Sequence, residues 1–259
     1  MKKRLLDILY FIIGLILIAL IYIILSAWKN ETYFLPHLSD IFKSFFNMLK
    51  EAKTYVAIGN TILNLLLSLL VSFTIAIILA VLAYKFKVLY KILRPFMQIF
   101  RFIPIIIFVS LLYFIIFGHN YFIYFIAVGS ILIPLIYEST YKALCAIPSE
   151  YIDVYKMHSN ITPYIIWKVY IPLIMPTIKS SITNAIGLGI KISLSVEFIV
   201  HINDTLGILI YKQIQSYDGY TDTFAYLLIL IFVSLILEFI PTLISIIYSK
   251  IKNKVEEDD

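Results

Sequence analysis

A stripe of small and polar side chains runs along the apolar stretch 177–200 and carries the lysine best suited to bind a solute. Ser180, Asn184, Gly187, Lys191 and Ser195 follow one another at steps of four, three, four and four residues. In an α-helix this spacing puts all five on one face. Such a face meets either a neighbouring helix, which small residues allow to approach closely, or a water-filled path. On a path, Lys191 and its counterpart in a second copy of the chain would favour an anion.

Other charges in apolar stretches require partners or water. A charge in hydrocarbon costs several kcal/mol unless it is paired or hydrated. At about 1.5 Å per residue, Arg101 and Glu238 lie at similar depths, roughly 12 and 15 Å from one face of a bilayer, and we expect them to form a structural pair. Lys191 lies roughly 20 Å from that face, with no carboxylate obviously at its level. Glu197 lies near the opposite face, where water is accessible, and joins Lys191, Asn184 and Ser195 as a candidate path residue.

The composition places the whole chain in a membrane. Of its residues 61% are hydrophobic and only 14% are charged, and the mean hydropathy is +0.95. A soluble domain of this length would precipitate with such values. The single Cys145 excludes an internal disulfide, and the four histidines are scattered along the chain. The sequence therefore indicates an all-α integral membrane protein without a metal site or a catalytic cluster.

Six apolar stretches are long enough to cross a bilayer, which takes roughly 20 residues. The first follows a basic amino terminus and lacks a small-residue cleavage site, so we expect a retained helix. Between the first two, apolar residues recur on one face of segment 38–53, which predicts an amphipathic helix on the outer membrane surface. The predicted spans are 5–25, 60–83, 93–117, 121–141, 177–200 and 222–248.

The distribution of basic residues predicts the orientation. Cytoplasmic segments of membrane proteins carry an excess of lysine and arginine. With the amino terminus in the cytoplasm, most of the basic residues lie on that side, and so do both termini and the segment 148–176. The cytoplasmic set is Lys2, Lys3, Arg4, Lys85, Lys87, Lys91, Arg94, Lys142, Lys156, Lys168, Lys179, Lys250, Lys252 and Lys254. This excess explains the net charge of +5 without any nucleic-acid partner.

The sequence of segment 148–172, the expected cytoplasmic loop, predicts two short helices joined by a sharp turn. Glu150 and Asp153 follow a proline and a serine, and carboxylates in the first turn stabilise the positive end of a helix. Ser159 and the asparagine after it break that helix. A threonine and a proline then begin a second helix, and Pro172 is expected to end the segment because it has no N–H to continue the ladder.

This loop resembles the coupling loop of permease subunits of binding-protein-dependent ABC importers. Their pattern is E-A-A, three residues, G, nine residues, then I-x-L-P. Here Asp153, Val154 and Tyr155 stand in place of E-A-A, Ser159 stands in place of the glycine, and Val169–Pro172 closes the pattern without a gap. The departures are an aspartate for glutamate, two larger residues for the alanines, and a serine for glycine.

Most of the chain after Pro36 is similar to one subgroup, the permeases of sulfonate, nitrate and taurine importers. The similarity lies in the motifs Arg101–Pro104 through Gly118, Ile133-Pro134, Tyr141–Ile147, Glu197, Leu206-Gly207 and Asp222-Thr223. The resemblance implies a type I permease fold of six transmembrane helices in the cell membrane of a prokaryote. It also implies a homodimer of permeases and a translocation path for a small anion.

The resemblance further implies a division of labour among subunits. The sequence contains no G-x-x-x-x-G-K-[ST] phosphate loop, so ATP and magnesium would bind to a separate cytoplasmic ATPase subunit. An external binding protein would deliver the solute, and 201–218 would form part of the outer gate beneath it. Tyr155 and Tyr164 would be the buried anchors on the ATPase. The coupling residues would be Glu150, Asp153, Val154, Tyr155, Ser159, Tyr164 and Pro172.

Two other classes of protein also fit parts of the sequence. A self-sufficient secondary carrier or channel needs spans and intramembrane charges, but it needs no coupling loop and typically shows internal repeats, which this chain lacks. A membrane scaffold explains the hydrophobicity and leaves the loop spacing unexplained. Among substrates of related permeases, a pyrimidine precursor of thiamine is the alternative to an anion.

Overall fold

The computed structural model describes residues 2–29, 35–116, 121–148, 150, 166–216 and 219–258, and their regular structure is entirely helical. This confirms the predicted all-α fold. A five-residue π-helical turn, Ile166–Tyr170, runs directly into the seventh α-helix. The α-helices are α1 Lys2–Lys29, α2 Leu38–Met48, α3 Ala52–Lys85, α4 Lys87–Phe102, α5 Ile105–Ile116, α6 Tyr121–Cys145, α7 Ile171–Val200, α8 Leu206–Ile214 and α9 Tyr220–Asp258.

Four of these helices are long and apolar enough to cross a membrane, and α4 with α5 would make a fifth span if the bent pair crosses together. The four are α3, α6, the segment Lys168–Val200 that contains α7, and Tyr220–Ile240 of α9. They contain the predicted spans 60–83, 121–141 and 177–200 and most of 222–248. Helix α1 contains the stretch 5–25. The orientation of the chain in the membrane stays a prediction.

The core forms where α6 packs between α3 and α7. Small residues let the backbones approach: Ala76, Ala80 and Ala127 are fully buried in one shared cluster. At Gly189 of α7 an added Cβ would lie 2.7 Å from the Leu65 side chain of α3. Close approach through small residues is the usual way in which helices associate where lipid removes the hydrophobic driving force.

The stretch 93–117, predicted as one span, is not one straight helix, because the chain bends by 101° between α4 and α5. Ile103 has extended backbone angles, φ −69° and ψ 123°. Pro104 causes this: its ring disfavours the helical conformation of the preceding residue, and it has no N–H to donate. Helix α4 therefore begins six residues before the predicted span, at Lys87, and runs in a different direction from α5.

Helix α4 is amphipathic and contains no buried residue. Its polar residues recur at steps of four and three, which puts them on one face. Large apolar side chains are exposed elsewhere around the helix, Phe102 by 83% and Val88 by 70%. A basic helix of this kind is typical of the membrane surface. The polar face consists of Lys87, Lys91, Arg94, Gln98 and Arg101.

The predicted amphipathic helix 38–53 is shorter in the structure. Helix α2 ends at Met48, and Glu51 has extended backbone angles before α3 begins. The buried face of α2 packs against α9, where the Phe45 and Phe232 rings lie 5.7 Å apart and the Ser44 hydroxyl donates to Asp222 at 2.5 Å. The last predicted residues of this helix therefore belong to α3.

Candidate functional site

The polar stripe of α7 lies on the outside of the subunit. Ser180, Asn184 and Lys191 are exposed, and Gly187 and Ser195 are partly exposed. Buried residues such as Ala185, Gly189, Ile190 and Ser193 occupy the other faces of α7. The Ser195 hydroxyl donates to the Lys191 carbonyl at 3.0 Å. Within the described residues the Lys191 ammonium group forms no ion pair.

Glu238 of α9 lies against the middle of this stripe. An ideal Cβ added to Gly187 would be 2.5 Å from Oε1 of Glu238, so the absence of a side chain at Gly187 makes room for the carboxylate. Gly187 stands between Asn184 and Lys191 along α7. The stripe therefore packs closely against α9 at Gly187, and its exposed polar residues lie on either side of that contact.

The predicted pair of Arg101 with Glu238 is wrong. The Arg101 guanidinium donates to Oε2 of Glu138 instead, and Lys142 donates to Oε1 of the same carboxylate at 2.7 Å. The prediction compared depths along a continuous helix, whereas the bend after Phe102 brings the end of α4 to α6. The i,i+4 spacing of Glu138 and Lys142 is the sequence signal that could have found part of this cluster.

A polar cavity of about 280 Å³ opens beside this cluster. Three elements form it: the last turn of α4, the second half of α6 and the first half of α7. Across it, the hydroxyls of Ser139 and Ser181 hydrogen-bond to each other and join α6 to α7. The lining residues are Arg101, Leu135, Glu138, Ser139, Lys142, Ser181 and Asn184.

The predicted water-accessible position of Glu197 is wrong, because the structure places this residue inside the subunit. Its side chain is fully buried, and Oε2 accepts hydrogen bonds from the Thr61 hydroxyl at 2.9 Å and from the Gly207 N–H at 3.1 Å. The Thr61 oxygen in turn accepts the Leu206 N–H at 3.0 Å. The carboxylate thus lies at the N-terminus of α8, where the helix dipole favours negative charge. Glu197 joins α3, α7 and α8.

The turn between α7 and α8 is tightly packed around Gly207. An added Cβ there would lie 2.8 Å from the backbone nitrogen of Phe198. Helix α7 ends at Val200, and the next residue, His201, has the left-handed backbone conformation with φ 56°. A long side chain at 207 would therefore separate α8 from the end of α7.

Most of the predicted coupling loop lies outside the described residues: Asp153, Val154, Tyr155, Ser159 and Tyr164. Glu150 and Pro172 are described, and both are exposed. The prediction that Pro172 ends the segment is wrong, because this residue lies in the first turn of α7. A proline is tolerated there because the first-turn N–H groups have no partner within the helix.

Comparison with known proteins agrees with this arrangement of helices. Residues 72–253, well over half of the chain, match the family described as binding-protein-dependent transport system inner membrane component. No curated protein sequence matches. A crystal structure of a bacterial ABC transporter, involved in the import of the acidic polysaccharide alginate, has a chain of similar fold, with a TM-score of 0.66 at 17% identity. The match covers 91% of this chain and 95% of that one.

The match begins within α3 and ends within α9, and so includes the stripe, the polar cavity and the segment 148–172. The similarity to the solved ABC transporter structure shows the fold alone. This fold is the predicted fold of an ABC importer permease. The chain therefore belongs to the family of inner membrane components of binding-protein-dependent transport systems, which are permease subunits of ABC importers and not enzymes.

Proposed function

We propose that two copies of this permease form the translocation path for a small anionic solute, such as a sulfonate or nitrate, in the inner membrane of a prokaryote. The exposed Lys191 on the polar stripe of α7 carries this proposal. A cation on the outer surface of a membrane helix is costly in lipid unless water or a counter-charge reaches it. A water-filled path between two subunits satisfies that requirement.

The sign of the charge supports an anion as the solute. An ammonium group in a narrow path attracts anions and raises their local concentration. The carboxylate of Glu238, which lies at Gly187 one turn away, forms no ion pair with Lys191. The two Lys191 side chains of a homodimer would thus be available to the solute.

Transport would be driven by a separate ATPase that binds ATP and magnesium and docks on the segment 148–172. An external binding protein, which the family name itself requires, would dock on the opposite side, where α2 and α8 lie. Glu197 would position α8 within this outer gate, because its carboxylate holds the first turn of that helix.

The ATPase docking is tested by substitution of Asp153. A tagged native chain, extracted from its membrane in mild detergent, should carry an ATPase subunit that mass spectrometry identifies. Asp153→Lys should lose that subunit, whereas Asp153→Glu, which restores the usual family residue, should keep it. An Asp153→Lys chain that keeps the subunit would refute docking through Asp153, and a native chain that purifies without any ATPase would contradict the proposed coupling to a separate ATPase.

The anion path is tested by substitution of Lys191. Uptake of radiolabelled ethanesulfonate and nitrate would be measured in proteoliposomes that contain the whole importer with its binding protein. Lys191→Met should abolish most of the uptake, and Lys191→Arg should retain it because the charge is kept. Full uptake by an assembled Lys191→Met importer would refute the path. A binding protein that takes a pyrimidine and no anion would refute the solute class.

A further inference from the structure

The cluster of Arg101, Glu138 and Lys142 leaves a positive charge that no described residue neutralises. Each cation contacts a different oxygen of the one carboxylate. The carboxylate balances one of the two positive charges, so the cluster keeps a net charge of +1. All three side chains line the polar cavity between α4, α6 and α7. A structural ion pair would not need the second cation.

The hydrogen-bond donors of the cavity favour an anion. The Ser181 hydroxyl donates to the Thr177 carbonyl at 2.9 Å, so Ser139 is the donor in the contact between the two serines. Both serine protons are therefore in use. Arg101 and Lys142 each keep N–H groups that their single contact with Glu138 does not use, and the Asn184 amide lies at the same wall.

The dimensions of the cavity suit a small oxyanion. Its volume is about 280 Å³, and one water takes about 30 Å³ in the liquid. A sulfonate or nitrate therefore fits together with several waters. Charge-assisted hydrogen bonds from guanidinium and ammonium groups to such oxygens are the strong kind.

Asn184 connects the cavity to the polar stripe of α7. It lines the cavity and is also a member of the stripe, two helical turns from Lys191. Two turns correspond to about 10 Å along the helix axis. A solute that leaves Lys191 along the stripe thus reaches the cavity directly after it passes the Glu238 carboxylate at Gly187.

We propose that this cavity is a second anion-binding site, at the end of the path nearest the segment 148–172, with Arg101, Lys142 and Asn184 as its ligands. It rests on the proposed function in that the anion is the transported solute. Glu138 lowers the positive charge of the site so that the anion binds weakly and leaves. Arg101 and Glu138 therefore belong to the transport path.

The electrostatic potential of the cavity is measurable with charged thiol reagents. Leu135 lines the cavity and binds nothing there, so Leu135→Cys in a Cys145→Ser chain reports on it without removal of a ligand. The assembled importer, in phosphatidylcholine vesicles that contain no anionic headgroup, would be treated with the anionic sulfonatoethyl and the cationic trimethylammonioethyl methanethiosulfonates. We expect the anionic reagent to react faster, and ethanesulfonate to slow both.

Variants of the two charges should move the ratio of the two rates in opposite directions. Arg101→Gln should lower the anionic-to-cationic ratio about tenfold, since one unit charge a few ångströms away is removed. Glu138→Gln should raise it. Arg94→Gln is the matched control: it removes the same charge from the same face of α4, two turns away from the cavity, and should leave the ratio unchanged.

Two results would overturn the proposal: equal ratios in the Arg101→Gln and Arg94→Gln chains, or a ratio that responds to charge while ethanesulfonate gives no protection. The labelling needs no transport and leaves Lys191 intact. If the Lys191→Met importer keeps full uptake and the labelling follows the expected pattern, the proposed path is refuted and the anion site stands. If Lys191→Met abolishes uptake and the labelling does not follow the expected pattern, only the anion site is refuted.

Discussion

At the scale of single residues, the Thr61 hydroxyl has two tasks that a valine of the same shape cannot perform. It donates to Glu197 and accepts the N–H of Leu206, and all three groups are buried. Each buried polar group without a partner costs about 1–3 kcal/mol. We expect Thr61→Val to lower the midpoint of thermal unfolding and to speed hydrogen exchange at 202–209 about tenfold for each 1.4 kcal/mol lost.

Thr61→Ser is the control for this prediction, because it keeps the hydroxyl and should preserve the exchange protection of α8. Exchange that is equally slow in the valine and serine chains would show that Glu197 holds α8 without the help of Thr61.

A second prediction concerns Gly207, at the same junction between α7 and α8. In the Gly207→Ala chain the new methyl group would overlap the backbone at Phe198, which cannot move as a flexible side chain could. We expect lower thermal stability and less uptake, since α8 would move away from α7. Gly59→Ala is the control, because nothing lies within 4 Å of a Cβ there and alanine is the better helix former. A Gly207→Ala chain as stable as the Gly59→Ala chain would contradict the tight contact.

Individual residues differ in how far their place could be predicted from the sequence. The stripe around Lys191 followed from helical spacing alone, because it lies on one continuous helix. The burial of Glu197 could not be foreseen, since it depends on α8 folding back onto α7 and α3. The Arg101 pairing was missed for a related reason: a depth calculation assumes a straight helix, and Pro104 breaks it.

At the scale of elements, the long apolar helices were predictable and the interfacial segment was not. Hydropathy located α3, α6, α7 and α9 because each is a single stretch of sufficient length. Hydropathy did not separate α4 from α5, because the mean hydropathy of a sequence window does not distinguish an amphipathic helix from a span. The helical period of the basic residues in α4 was the signal that distinguishes them.

Helix α4 should lie in the membrane interface with its basic face in water. In a Cys145→Ser chain, Gln98→Cys on the polar face should react rapidly with a water-soluble maleimide. Ile99→Cys, whose side chain is exposed by 56% in the isolated subunit, should be protected by lipid. The two positions are neighbours, so depth along the chain cannot explain a difference. Equal protection of both would place α4 within the hydrocarbon as part of a span.

At the scale of the whole molecule, a single subunit leaves the polar stripe of α7 uncovered. The stripe on α7 carries an ammonium group and an amide on the outside of a membrane helix, where lipid cannot satisfy them. The exposed side chains of α3 between positions 63 and 71, such as Leu70 at 66%, are all apolar and suit lipid contact. The stripe of α7 therefore needs to contact another polar surface, whereas this part of α3 can contact the acyl chains of lipid.

This difference predicts how two copies meet. In Cys145→Ser chains, a short bifunctional maleimide should link Ser195→Cys on the stripe to its counterpart, which gives a band at twice the mass of the 30.0 kDa chain. Leu70→Cys should give no such band, because lipid separates these positions in the two copies. A band from Leu70→Cys alone would mean that the subunits meet through α3. Absence of both bands would mean that a different chain covers the stripe, and the path would then lie in a heterodimer.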